Sequence, residues 1–125
     1  MSLSLYEQLG DALIADVLTC FYERAFLDPL IGHFFFQHNH QELLQKQILF
    51  TSCFLGAQHL TYRGKSLLDA HSRLPLRDAH FRRRQVLLRE VLEEKKVDIK
   101  LREQWLAREE KLKPLIVNAQ GSCHA

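Results

Sequence analysis

The chain has 125 residues and a mass of 14.7 kDa, with 46% hydrophobic and 26% charged residues, which suits one globular domain and excludes a disordered tail or a collagen-like repeat. A net charge of +2 does not mark a nucleic-acid binder. The three cysteines, Cys20, Cys53 and Cys123, include no C-x-x-C pair, and neither a membrane-spanning run nor a signal peptide is visible, so the expectation is one soluble, cytoplasmic domain over residues 1–125.

The punctuation is sparse, with five glycines and three prolines. Gly10 and Pro29 bracket residues 11–26, where Leu13, Ile14, Val17, Leu18, Phe21 and Ala25 recur three and four apart, the spacing of an amphipathic helix. A loop rich in Phe, His and Asn covers residues 33–40. Residues 41–55 form the next periodic stretch, with Leu44, Ile48, Thr51 and Leu55 on one face and Leu43, Gln47, Phe50 and Phe54 beside it. Gly56 then ends it. A short piece over residues 65–70 precedes a break at Pro75. Asp78 is the expected N-cap of a helix over residues 79–94, and Asp98 opens a last helix that Pro114 should bend. No alternating run argues for a strand, so the fold class is all-α, with four substantial helices and one short one.

Polar residues on apolar faces are the informative ones. Gln47 is either a boundary glutamine or a buried amide set to hydrogen-bond a ligand. Tyr22 is either a half-buried tyrosine with a wet hydroxyl or a donor into an apolar pocket. If both faced one cavity, it would resemble a specific small-molecule site. His71 is either a surface imidazole or a single axial ligand to haem iron, which needs no second protein ligand. The loop histidines His33, His38 and His40 match no strong zinc motif, and neither His59 nor His80 pairs with them at helical spacing. Cys53 beside Phe54 reads as packing rather than a nucleophile. Arg82, Arg83, Arg84 and Arg89 read as a solvated basic face. No P-loop, G-x-S-x-G or H-E-x-x-H is present.

Taken in order, these residues resemble the truncated haemoglobins, closest to group I. The resemblance runs from about residue 5 to 119. It rests on Leu5-Tyr6-Glu7-Gln8-Leu9-Gly10, Phe21-Tyr22 followed by Asp28-Pro29-Leu30, and Phe34-Phe35-Phe36. It continues through Lys46-Gln47-Ile48-Leu49-Phe50, Phe54-Leu55-Gly56, Tyr62-Arg63-Gly64, Ala70-His71, Ala79-His80-Phe81 and Leu112-Lys113-Pro114-Leu115. It implies a 2-on-2 globin, two antiparallel helix pairs stacked around haem b. His71 would be the iron ligand, ahead of its rival His80, and Tyr22 and Gln47 the distal donors. Phe34 or Phe35 would pack on the haem face, Lys46 would reach a propionate, and Phe50, Leu55, Leu67, Leu76 and Phe81 would line the pocket. The implied ligands are dioxygen, nitric oxide and carbon monoxide. Oxygen transport is one implied role; nitric oxide dioxygenation is another and would need a separate reductase. The alternative is a haem-free globin-fold interaction module.

The sequence departs from the family pattern in three places. Asp11 follows Gly10, and Ala57 follows Gly56, where the family has paired glycines, which puts two tight turns in question. Arg84 stands three residues after Phe81, where a small apolar residue is expected. A buried unpaired guanidinium is very costly, so the expectation is a rotated helix with Arg84 in solvent, ahead of pairing with a propionate or an anion.

Overall fold

A computed structural model describes residues 2–72 and 74–117, and Cys123 lies outside them. Among these residues seven α-helices and a single 3-10 turn occur, with no strand. They are α1 (Leu5–Leu9), α2 (Asp11–Leu27), the 3-10 turn Gly32–Phe35, α3 (His40–Phe54), α4 (Leu67–His71), α5 (Asp78–Glu94), α6 (Ile99–Glu110) and α7 (Lys113–Ile116).

Helix starts follow local chemistry. The Ser4 hydroxyl accepts from the Glu7 N–H while the Glu7 carboxylate takes the Ser4 N–H, a reciprocal box that closes α1. Asn39, Ser66 and Asp98 cap α3, α4 and α6 through side-chain oxygens. Asp78 does not act as the expected cap. It is the first helical residue of α5; Arg77 takes the cap position, and its N–H is held at 3.0 Å by His80 Nδ1. An acid in the first turn still faces the positive end of the helix. Pro114 does not bend one long helix. The chain breaks after Glu110 and restarts with proline in the first turn of α7, where its missing N–H costs nothing.

Helix α2 is shared by the two halves of the molecule: it packs on α3 on one side and on α5 on the other, and α5 pairs with α6. The dry core lies where α1, α2, α5 and α6 meet. Ile14, Val17, Leu18, Phe21, Leu88, Val91, Leu92 and Trp105 are each 1% exposed or less there. Fully burying such side chains contributes about 1.5–3 kcal/mol each, offset by the entropy of ordering them.

Two connections set where α2 and α3 end. Asp28 accepts the N–H groups of Leu30 and Ile31 at 3.0 and 3.2 Å and meets Arg83 of α5 at 2.8 Å. The Arg83 guanidinium holds the Asp28 carboxyl below its ordinary value. At the other end, the Tyr6 N–H donates to the Leu55 carbonyl at 2.8 Å, tying α1 to the end of α3.

Single glycines make both turns for which the family pattern has pairs. Gly10 takes φ 89° and Gly56 φ 114°, while Asp11 begins α2 and accepts a hydrogen bond from the Tyr6 hydroxyl. The missing second glycines therefore cost neither turn. A Cβ on Gly56 would meet Ser4 Cβ at 2.7 Å, whereas one on Gly10 would meet nothing within 4 Å. Gly56→Ala should lower unfolding free energy by about 2–3 kcal/mol and Gly10→Ala by about 1 kcal/mol, read by urea denaturation. Equal losses would show that the contact with Ser4 contributes nothing.

Candidate functional site

A cavity of about 180 Å³ lies between α2, α3, the α4 region and α5. Its walls are aromatic and aliphatic: Phe21, Phe34, Phe35, Phe50, Leu67, Leu76 and Phe81 all contribute. Tyr22, Gln47 and His71, from three different helices, line the same cavity. Both phenylalanines of the 3-10 turn, Phe34 and Phe35, face it. Leu55 and Lys46 are not among the lining. Leu55 is fully buried in the core between α3 and α1, and Lys46 stands exposed on the outer side of α3.

Helical geometry explains how α3 serves both the core and the cavity. Leu44 and Ile48 pack against the core, while Leu43, Gln47 and Phe50 turn toward the cavity, with Thr51 on the border. Tyr22 sits near the end of α2, wedged edge-on against Phe21 and Phe35 with ring centroids 4.8 and 6.1 Å apart. Burial pushes its phenol above the ordinary value, against the pull of Arg84. The hydroxyl is therefore a protonated donor.

His71 ends α4, and its Nδ1 lies 2.7 Å from the Leu67 carbonyl one turn back. A carbonyl only accepts, so the proton sits on Nδ1 and the lone pair on Nε2. Burial lowers the His71 pKa, and the charge on Arg84 adds to this, so the ring stays neutral. His80 also lines the cavity, but its Nδ1 accepts from the Arg77 N–H, which leaves the neutral ring protonated at Nε2. Of the two, only His71 offers an Nε2 lone pair.

The loop histidines do not gather. His40 stacks on Phe26 at 3.8 Å with its Nε2 3.1 Å from the Phe35 carbonyl, and His33 packs on Phe34. Among the described residues no three His, Cys, Asp or Glu side chains come together as a metal-binding group.

Arg84 overturns the expectation of a solvent-facing guanidinium. It lines the cavity, mostly buried, and its Nη2 meets Glu109 of α6 at 3.1 Å while its Nη1 donates to Gln85 at 2.8 Å. Its guanidinium carbon lies 5.1 Å from the Phe21 ring centroid, and it interacts with the Tyr22 hydroxyl. The helix is not rotated; a buried acid on the neighbouring helix supplies the counter-charge. Glu109 was missed in the sequence although its register announced it, four residues after Trp105 and three before Leu112 on the apolar face of α6. The basic patch also dissolves into pairs, Arg83 with Asp28 and Arg89 with Glu103.

Known proteins share this fold. The sequence pattern of the family described as bacterial-like globin matches residues 4–118. The chain belongs to the bacterial-like globins. A group 1 truncated haemoglobin of Tetrahymena thermophila is 28% identical over 79 residues, covering 62% of this chain and 64% of that protein's length. The ferric truncated haemoglobin of Tetrahymena pyriformis superimposes with a TM-score of 0.87 at 23% identity, over 93% of this chain and 99% of its own. The 2/2 haemoglobin of a Synechococcus species, solved in the cyanomet state with covalently attached haem, has a TM-score of 0.80 at 25% identity over 95% and 94%. The fold is thus that of a 2/2 truncated globin, and membership in the family implies haem as its cofactor. No helix among the described residues is long and apolar enough to cross a membrane.

The Arg84–Glu109 pair of this globin carries a stability prediction. Glu109→Ala leaves a guanidinium buried without its partner and should lower unfolding free energy by about 3 kcal/mol, while Arg84→Met with Glu109→Leu should recover most of it. If the double variant loses the sum of the single losses in chemical denaturation, the two side chains are not coupled.

Proposed function

We propose that this globin holds haem b in the cavity with His71 as the iron ligand and binds dioxygen reversibly, with nitric oxide and carbon monoxide as further ligands. The observation that carries the reading is the His71–Leu67 hydrogen bond, which fixes the tautomer and leaves Nε2 as a ligand in an aromatic and aliphatic cavity. Haem would supply a ferrous centre able to take a diatomic gas.

The rest of the work falls to the chain. Phe34 and Phe35 on one side and Phe50, Leu67, Leu76 and Phe81 on the others would pack on the porphyrin and exclude water. Lys46, exposed on α3, and Arg77, exposed at the cavity rim, are suited to the propionates. The Tyr22 hydroxyl and the Gln47 amide would donate hydrogen bonds to a ligand that carries partial negative charge. In a dry pocket such bonds are worth more than in water. Dioxygen attracts that charge and carbon monoxide hardly does, so the donors favour dioxygen.

In this reading the protein works in the cytoplasm in oxygen binding or transport. Conversion of nitric oxide would need a separate reductase as the electron donor. Tyr22→Phe removes one donor and keeps the ring, and it should speed dioxygen release about 10-fold or more while changing carbon monoxide release much less. Flow-flash kinetics on the haem-loaded protein read both rates. An unchanged dioxygen off-rate would remove Tyr22 from the ligand site.

A further inference from the structure

The cavity contains a feature that binding a neutral gas does not require. Arg84 occupies a wall position whose helical neighbours Phe81 and Leu88 are apolar, and a leucine or methionine would fill it without a counter-ion. Instead the guanidinium is held by Glu109 at 3.1 Å and Gln85 at 2.8 Å and lies over the Phe21 ring. A guanidinium has five N–H donors, and these two acceptors occupy only part of that capacity. Arg84, Tyr22 and Gln47 line the same cavity, so the remaining donors share one space with the tyrosine hydroxyl and the glutamine amide.

We propose that Arg84 makes this cavity an anion site, in which a small monovalent anion of the azide or nitrite class is held by the Arg84 guanidinium together with the Tyr22 hydroxyl and the Gln47 amide. The proposal rests on the haem reading, since the anion would share the ligand face with the iron.

The donor chemistry of the wall favours an anion over a second neutral ligand. With Arg77 taken up by a propionate, Arg84 and Glu109 are the fully ionised side chains left in the lining and their charges cancel, so an entering anion is favoured by the N–H donors of the guanidinium and not by net charge. Glu109, on α6, lines the cavity beside the guanidinium and keeps the pair neutral when no anion is bound. Its carboxylate holds Arg84 in place at the cost of part of the attraction. An anion gains charge-assisted hydrogen bonds from this arrangement, whereas carbon monoxide gains almost nothing.

The test is an azide titration of the ferric, haem-loaded protein, followed by the shift of its absorption band, beside carbon monoxide binding to the ferrous form. Arg84→Met with Glu109→Gln keeps the pair's net charge at zero and removes the cation. It should weaken azide about 10- to 100-fold and change carbon monoxide affinity by less than about threefold. Glu109→Gln alone keeps Arg84 and lifts its compensation, so azide should tighten. Azide affinity unchanged in the double variant, azide and carbon monoxide weakening together, or azide loosening in Glu109→Gln would each overturn the proposal. The haem reading is checked before azide is added. A protein whose absorption band is indifferent to His71→Ala contradicts that reading, separately from the anion site.

Discussion

A cavity in the middle of a chain this short survives only if the helices around it find their core somewhere else, and α2 is where that constraint is met. Its Ile14, Val17 and Leu18 are sealed against α5, α6 and α1, while Tyr22, one turn on, already faces the cavity. The fully buried set, from Leu5 to Trp105, lies largely to one side. The cavity side is built from rings and leucines that remain partly exposed to it. Burial on one side therefore stabilises a fold that leaves the other side open to a flat apolar group. Asp28 on Arg83 and the Tyr6 N–H on the Leu55 carbonyl tie the two ends of the α2–α3 pair.

Polar groups inside that apolar wall are each settled by a specific partner. His71 is kept neutral by burial and aimed by the Leu67 carbonyl, so the protein spends one hydrogen bond to choose which nitrogen remains available. Tyr22 is kept protonated by burial, with Arg84 pulling the other way. Arg84 stays charged because Glu109 and Tyr22 outweigh the cost of burial. These three settings differ in kind: a ligand nitrogen, a neutral donor and a compensated cation share one small space. The cation is what separates this pocket from a plain gas-binding one.

Much of this was legible in the residues because it is local. The three- and four-residue spacing found the four long helices, and Asp98 announced its own cap. Tyr22 and Gln47 were visible as polar side chains on apolar faces, and they do line one cavity. The failures share a cause, which is distance along the chain. Arg84 looked unpaired because its partner is Glu109, on another helix, and no local pattern links the two. The family resemblance implies Leu55 as a pocket residue, yet the helix ends there and the Tyr6 backbone takes it into the core. Asp78 and Pro114 were each one structural step away from their expected roles, because a helix boundary is decided by competing partners such as the His80 ring and the stop after Glu110.

The central claim is that His71, and not His80, ligates haem iron. It is tested most directly by absorption spectra of the haem-reconstituted protein, ferric, reduced and carbon monoxide-treated, for the parent, His71→Ala and His80→Ala. The account predicts a stoichiometric Soret band that shifts with carbon monoxide in the parent and in His80→Ala, with ligation changed in His71→Ala and restored by added imidazole. A folded protein that takes up no haem saturably, or one that loses its ligation with His80 instead, would contradict it.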